Sequence, residues 1–137
     1  MNADKDCAIF FDESAYTIDT QKLMGRNSAG ASFLKGYFKN GRPKNFWVYG
    51  KNPEQGQLFA NLANKFSTRK EIKFVSWLNT QALSQPGNIF FPGPNFNKLA
   101  WQRSLFDDTA WSICGITHTT ASATVTDAVG DYFLCPI

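Results

Sequence analysis

After a short polar start, Met1 to Asp6, the chain turns apolar without alternation at Cys7–Phe11 (C-A-I-F-F). An unbroken apolar run of that length is the pattern of a strand buried on both faces. The pattern recurs at Phe46–Tyr49 (F-W-V-Y). It returns within Glu71–Leu78, where Ile72, Phe74 and Val75 form the core. Asn88–Phe91 repeats it and is cut off by Pro92-Gly93-Pro94. A fifth run starts at Trp111 and takes in Ile113, Cys114 and Ile116. Gly115 inside it lets another part of the chain come close.

Between these runs the apolar positions fall at helical spacing. Phe33, Leu34, Tyr37 and Phe38 predict a helix over Ser28–Asn40, capped by Asn27 or Ser28 and stopped by Gly41. Gly30 and Gly36 inside it each cost about 1 kcal/mol against alanine, a cost that makes sense if the helix packs tightly on a sheet. Asn52-Pro53-Glu54 opens a second helix, Pro53–Ser67, with Leu58, Phe59, Leu62, Ala63 and Phe66 on its buried face. Val125, Ala128, Val129, Tyr132 and Phe133 predict a last helix over Thr124–Leu134, with Ser122, Thr124 or Thr126 as its cap.

Three stretches carry no clean period. Asp12–Arg26 reads as a long loop, of the kind that is usually functional or mobile. Gln81–Gly87 is a connection with room for one helical turn. Pro94–Asp108 reads as an irregular arm or a short helix through Leu99, Ala100, Trp101 and Leu105. Its Trp101 and Arg103 fit packing better than a site, and Asp107-Asp108 fits a turn better than a catalytic pair. Strands alternating with helices predict a parallel α/β sheet covered by helices, with Cys7–Phe11 central.

Composition narrows the function. A chain of 137 residues is one domain with a real core, and thirteen phenylalanines and four tryptophans make that core aromatic. The net charge of +3 comes with no basic run, so nucleic acid is not an expected partner. Cys7, Cys114 and Cys135 are odd in number and form no C-x-x-C, which points to buried thiols in a reducing, cytoplasmic setting. One histidine and no cysteine pair argue against a metal site. Neither a signal peptide nor a transmembrane segment is expected.

Two stretches hold candidate chemistry. Gly25-Arg26-Asn27-Ser28-Ala29-Gly30 stands between the first strand and the first helix, where backbone N–H groups and the helix dipole can hold a phosphate. It matches neither the Walker pattern nor G-x-G-x-x-G, and a tight loop before a close-packed helix explains it equally well. The only histidine, His118, stands in Thr117-His118-Thr119-Thr120, between the fifth strand and the last helix. Strand exits of this kind bind ligands in open α/β sheets. A hydrogen-bonded structural histidine is the competing reading.

Together, L-M-G-R-N-S-A-G-A-S-F-L at Leu23–Leu34 and W-S-I-C-G-I-T-H-T-T-A-S at Trp111–Ser122 resemble the N-terminal domain of bacterial family-four retaining glycosyltransferases with the GT-B fold. The resemblance spans Ile9 to Leu134 and is vague between about Lys51 and Leu99. It implies a Rossmann-like, acceptor-side domain. The full-length parent would transfer a sugar from a nucleotide-sugar donor to an acceptor with retention, using no metal and no cofactor. It also implies site roles: Gly25 near the donor's phosphate or sugar, Arg26 assisting with phosphate, and His118 contacting the donor sugar as the catalytic residue. Asn27, Thr119 and the Asp12–Thr20 loop are softer candidates for polar lining. The donor domain of the family, with its paired glutamates, does not occur in these 137 residues, so a truncated, inactive domain is expected, with homodimerisation through a bare sheet edge or the last helix. Two other readings stay open: a stand-alone module binding a phosphorylated metabolite or nucleotide, and a non-catalytic interaction domain.

Overall fold

A computed structural model describes residues 6–16, 25–66, 70–116 and 122–136. The elements run β1 (Ala8–Phe10), α1 (Glu13–Tyr16), α2 (Gly25–Asn40), β2 (Phe46–Gly50), α3 (Pro53–Asn64), β3 (Ile72–Ser76), β4 (Asn88–Phe91), α4 (Asn97–Ser104), β5 (Ser112–Gly115) and α5 (Ala123–Gly130). Two 3₁₀ helices, Thr80–Ser84 and Asp131–Leu134, complete the set. The five strands form one all-parallel sheet in the order β3-β2-β1-β4-β5. The fold is therefore α/β and Rossmann-like in general, with β1 at its centre as the apolar run at Cys7–Phe11 predicts.

The central strand explains the two layers. Its side chains alternate between two aromatic cores. Ile9 and Phe11 join Leu34 and Phe38 of α2, Phe59 and Ala63 of α3, and Tyr16 of α1. Ala8 joins Trp47, Leu83, Ile89, Leu99 and Trp111 on the other face. Ala8, Ile9 and Phe11 are all fully buried. A strand with no solvent face must be covered twice, and its neighbours reach it only as parallel strands joined by crossovers.

Several elements differ from expectation. Asp12–Arg26 is not all loop. Asp12 Oδ1 accepts from Ser14 N at 2.9 Å and starts α1, whose Tyr16 is buried, stacks on Phe11 and donates to Phe10 O at 2.7 Å. Four residues are too few to show a helical period. α2 begins at Gly25 rather than Ser28, so Asn27 and Ser28 lie inside the helix and do not cap it. Gly30 packs on α1, not on the sheet: a Cβ there would sit 2.3 Å from Ala15 O, whereas one at Gly36 would meet nothing within 4 Å. Of the two readings of the arm after β4 the short helix holds: α4 buries Leu99, Ala100 and Arg103 and exposes Trp101, with Leu105 exposed just past its end. α3 ends at Asn64, before Ser67, and its Leu58 is exposed, as is Phe74 of β3. β5 is an edge strand with Ser112 and Cys114 exposed, so the Cys114 thiol is not a buried one. The last helix breaks at Gly130 and continues as a 3₁₀ turn in which Phe133 and Leu134 stand exposed.

Other local signals act as their chemistry dictates. Asn52 Oδ1 accepts from Gln55 N at 3.1 Å and Pro53 takes the first turn of α3. Asp107 Oδ1 accepts from Thr109 N and Oγ1, a turn rather than a catalytic pair. Asp6, just before β1, ties the amino edge of the sheet together. Its carboxylate accepts from Trp47 Nε1 at 2.9 Å and Lys44 N at 2.6 Å, and its carbonyl accepts from Asn88 Nδ2. Burial pushes the Asp6 carboxyl up, but the bonds from Trp47, Lys44 and Asn45 outweigh it, and its pKa ends below the ordinary value.

Gly36→Ala should raise stability by about 0.5–1 kcal/mol, because the propensity gain meets no obstacle, while Gly30→Ala should lower it by displacing α1; urea titrations would separate them. Because the folded pKa of Asp6 is depressed, its contribution is present above the unfolded carboxylate pKa and disappears as pH falls through the folded one. Asp6→Asn should therefore lower the urea midpoint at pH 7, and the variant and wild type should converge in strong acid.

Candidate functional site

The strand order reverses beside β1: the chain moves outward through β2 and β3, then returns to the other side of β1 for β4 and β5. The carboxyl ends of β1 and β4 thus diverge at a topological switch point, the place where open α/β sheets bind ligands. Phe10 closes β1 and Phe91 closes β4, their ring centroids 4.4 Å apart. Trp77, just past β3, stacks on Phe10 at 5.2 Å and 18°. These three rings are half-buried and, with Tyr49 of β2, form the floor of a pocket of about 710 Å³, within the range of small-molecule sites.

The walls come from the carboxyl half of the chain. α4 supplies Lys98, Leu99 and Gln102, and α5 supplies Thr124, Asp127 and Ala128. Asn95 stands on the loop between β4 and α4. The site therefore divides into an aromatic floor and a polar rim that holds amides, a hydroxyl, one ammonium and the carboxylates of Asp127 and Asp131. Asn97 Nδ2 donates to Asp131 Oδ2 at 3.2 Å and joins the two helices. Tyr132 reinforces this bridge by stacking on Phe96 at 4.5 Å and donating to Pro94 O.

β5 leaves space for that stack only because position 115 is glycine. A Cβ there would lie 2.5 Å from Phe96 Cε1 and 3.0 Å from Gly93 O. The close approach expected of Gly115 is thus to the loop that carries Phe96 into the pocket wall. On the floor, the Tyr49 and Thr80 hydroxyls lie 3.3 Å apart and Thr80 Oγ1 donates to Trp77 O. Burial pushes the Tyr49 phenol pKa up, and the bond to Thr80 offsets part of that rise, so the phenol stays neutral and anchors the turn bearing Trp77. Trp77 Nε1 is buried without a hydrogen-bond partner, a state that costs about 1–3 kcal/mol.

The residues expected to act take different places. Gly25 is the first residue of α2, on the connection from β1. Arg26 lies in the same first turn, its side chain outside the described atoms. Asn27 Nδ2 donates to Ser14 O at 2.9 Å and ties α2 to α1. His118 and Thr119 lie outside the described residues. Arg103 does not line the pocket: it is buried and donates to Trp111 O at 3.0 Å and Pro136 O at 3.1 Å, holding the end of the chain to α4. The aromatic pocket itself was missed in the sequence because Phe10 and Phe91 look like strand core. The available signal was an aromatic residue closing each of two adjacent strands.

Among the described residues, no group of three His, Cys, Asp or Glu side chains is placed to hold a metal ion, and no helix is long and apolar enough to cross a membrane. Compared with protein-family models, curated proteins and solved structures, the chain finds no match.

Gly115→Ala should force Phe96 off Tyr132 and cost about 1–3 kcal/mol, read as a lowered urea midpoint. Trp77→Phe should cost little or nothing, since the indole N–H it removes has no partner; a thermal scan checks this.

Proposed function

We propose that this chain is the acceptor-side domain of a retaining glycosyltransferase of the GT-B type. Three features support the reading, and the pocket at the carboxyl edge of one parallel sheet is the observation that carries it. The N-terminus of a 16-residue helix begins at Gly25, β5 and α5 bracket in sequence the segment that contains His118, and a pocket lined by the strand ends, α4 and α5 opens at the switch point. The sequence stretches that resemble the family supply the first two features, and the third is independent of them.

The chemistry suits this arrangement. Sugar transfer needs the leaving phosphate stabilised and the acceptor hydroxyl held on the reacting face of the donor. The first turn of α2 carries no acidic residue, so the positive end of the helix is left free to face an anion. In this reading Gly25 lets the donor's phosphate approach, Arg26 adds positive charge, Asn27 and Thr119 line the donor side, and His118 contacts the donor sugar near the reacting carbon. The pocket holds the acceptor. The donor's nucleotide is held by a second α/β domain, so the 137 residues alone complete half of the site.

The gene is expected to encode, beyond Ile137, a second α/β domain bearing an E-x7-E pattern, and the protein that includes it is expected to transfer sugar with retention. A reading frame that ends at Ile137 would overturn the proposal, and so would sugar transfer by the 137-residue chain alone. In the longer protein, His118→Ala should lower kcat about 100-fold, the loss of one polar contact worth about 3 kcal/mol in the transition state, with the circular dichroism spectrum unchanged. Unaltered turnover would remove His118 from the catalytic role.

A further inference from the structure

We propose that the pocket between the sheet and helices α4 and α5 is a saccharide subsite, in which the C–H face of an uncharged sugar ring rests on Phe10, Trp77 and Phe91 and its hydroxyls meet Asn95, Gln102 and Asp127. The proposal deepens the transferase reading by naming the acceptor class, and it rests on that reading for calling the occupant an acceptor.

The pocket's two surfaces carry the argument. Its floor is aromatic carbon: the half-buried ring of Phe10 with those of Phe91 and Trp77 at 4.4 and 5.2 Å from it. Half-exposed aromatic clusters at a strand edge lose the benefit of full burial, at a cost on the order of 1 kcal/mol or more for each large side chain, unless something covers them. Its rim is polar, and most of its groups are neutral. Amide side chains both donate and accept, as do hydroxyls, so the rim matches a ligand edge made of hydroxyls. A pyranose has this division: an apolar patch of ring C–H groups, attracted to the negative faces of aromatic rings, surrounded by hydroxyls.

Charge excludes the main competitor. Asp127 and Asp131 face the pocket against the single ammonium of Lys98, so the rim is net negative. Phosphorylated or carboxylated ligands meet repulsion there, in contrast to the positive end of the α2 dipole. An organic cation would gain from the rings and the carboxylates, but it would leave the amides of Asn95 and Gln102 without hydroxyl partners. The volume of about 710 Å³ accommodates a sugar ring with a substituent.

The experiment uses the isotope-labelled 137-residue chain and follows the Trp77 indole N–H resonance, identified by its loss in Trp77→Phe. The probes are the methyl glucosides, mannosides and galactosides, the matching hexose 6-phosphates, and tetramethylammonium. At least one methyl glycoside is expected to shift the resonance saturably, with a Kd of about 1 mM. The matching 6-phosphate should bind at least about threefold more weakly, and Gln102→Ala and Asp127→Asn should each weaken the glycoside about fivefold, equivalent to about 1 kcal/mol. Both substitutions fall on the protein surface or its margin, so a preserved amide spectrum separates lost binding from lost folding. No glycoside shift, a shift produced only by the 6-phosphates or only by tetramethylammonium, or a glycoside shift indifferent to both substitutions would overturn the proposal. Glycoside binding without sugar transfer by the longer protein leaves the subsite standing and removes the transferase reading. Transfer to an acceptor without a sugar ring, with no glycoside binding, does the reverse.

Discussion

The two-sided burial of β1 is the constraint on which the rest depends. Ala8, Ile9 and Phe11 have no solvent-accessible surface, and β1 pairs with a parallel neighbour on each side. Parallel neighbours cannot be joined by tight hairpins, so each junction carries the chain over a face of the sheet. The residues of β1 then divide between two aromatic cores. Only Phe10, the last residue of the strand, escapes full burial. The same alternation that fills one core delivers that ring to the carboxyl edge, where the strand order reverses.

The two edges of the sheet are built for different work. The amino edge is closed by Asp6, whose carboxylate gathers N–H groups from the start of β2 and whose carbonyl reaches β4. It is satisfied and has little left to offer a ligand. The carboxyl edge is held by apolar stacking and by tethers set back from the opening, such as Tyr49 with Thr80 and Tyr132 with Phe96. A buried indole N–H stands there without a partner. The side-chain bonds of Asp6 tie the amino edge, and the half-covered rings of Phe10, Trp77 and Phe91 lie at the other. That distribution is expected when a scaffold must be rigid and its loops free to contact something else.

The pocket also explains why the chain's second half matters as much as its first. β1 and β4 bring the floor, but α4 and α5 bring the rim, and these helices are joined by Asn97 with Asp131 and by the ring of Phe96. Gly115 on the edge strand makes that junction sterically feasible. A single methyl group at position 115 would reach the pocket wall through two packed rings, although it touches neither the floor nor the rim.

By itself the sequence determined the parallel α/β architecture, the central place of the first strand, the Asn52-Pro53 start of α3 and the span Asn88–Phe91 of β4. These were legible because burial on both faces demands an unbroken apolar run and because capping chemistry acts over a few residues. Tertiary structure decided the rest. α1 is one turn long and shows no period, yet it exists because Tyr16 can stack on Phe11 and Gly30 gives its backbone room. β5 reads as a buried strand, but its position at the edge leaves Cys114 exposed, because an apolar run carries no record of how many neighbours it will have. Between a short helix and an irregular arm after β4 the pattern could not choose, because Trp101 in α4 and Leu105 just past it face out while Arg103 is buried and bonded to Trp111 and Pro136. The pocket was the least legible feature of all. Phe10, Trp77, Phe91 and Asp127 are separated by tens of residues, and only the reversal of strand order beside β1 brings them to one opening.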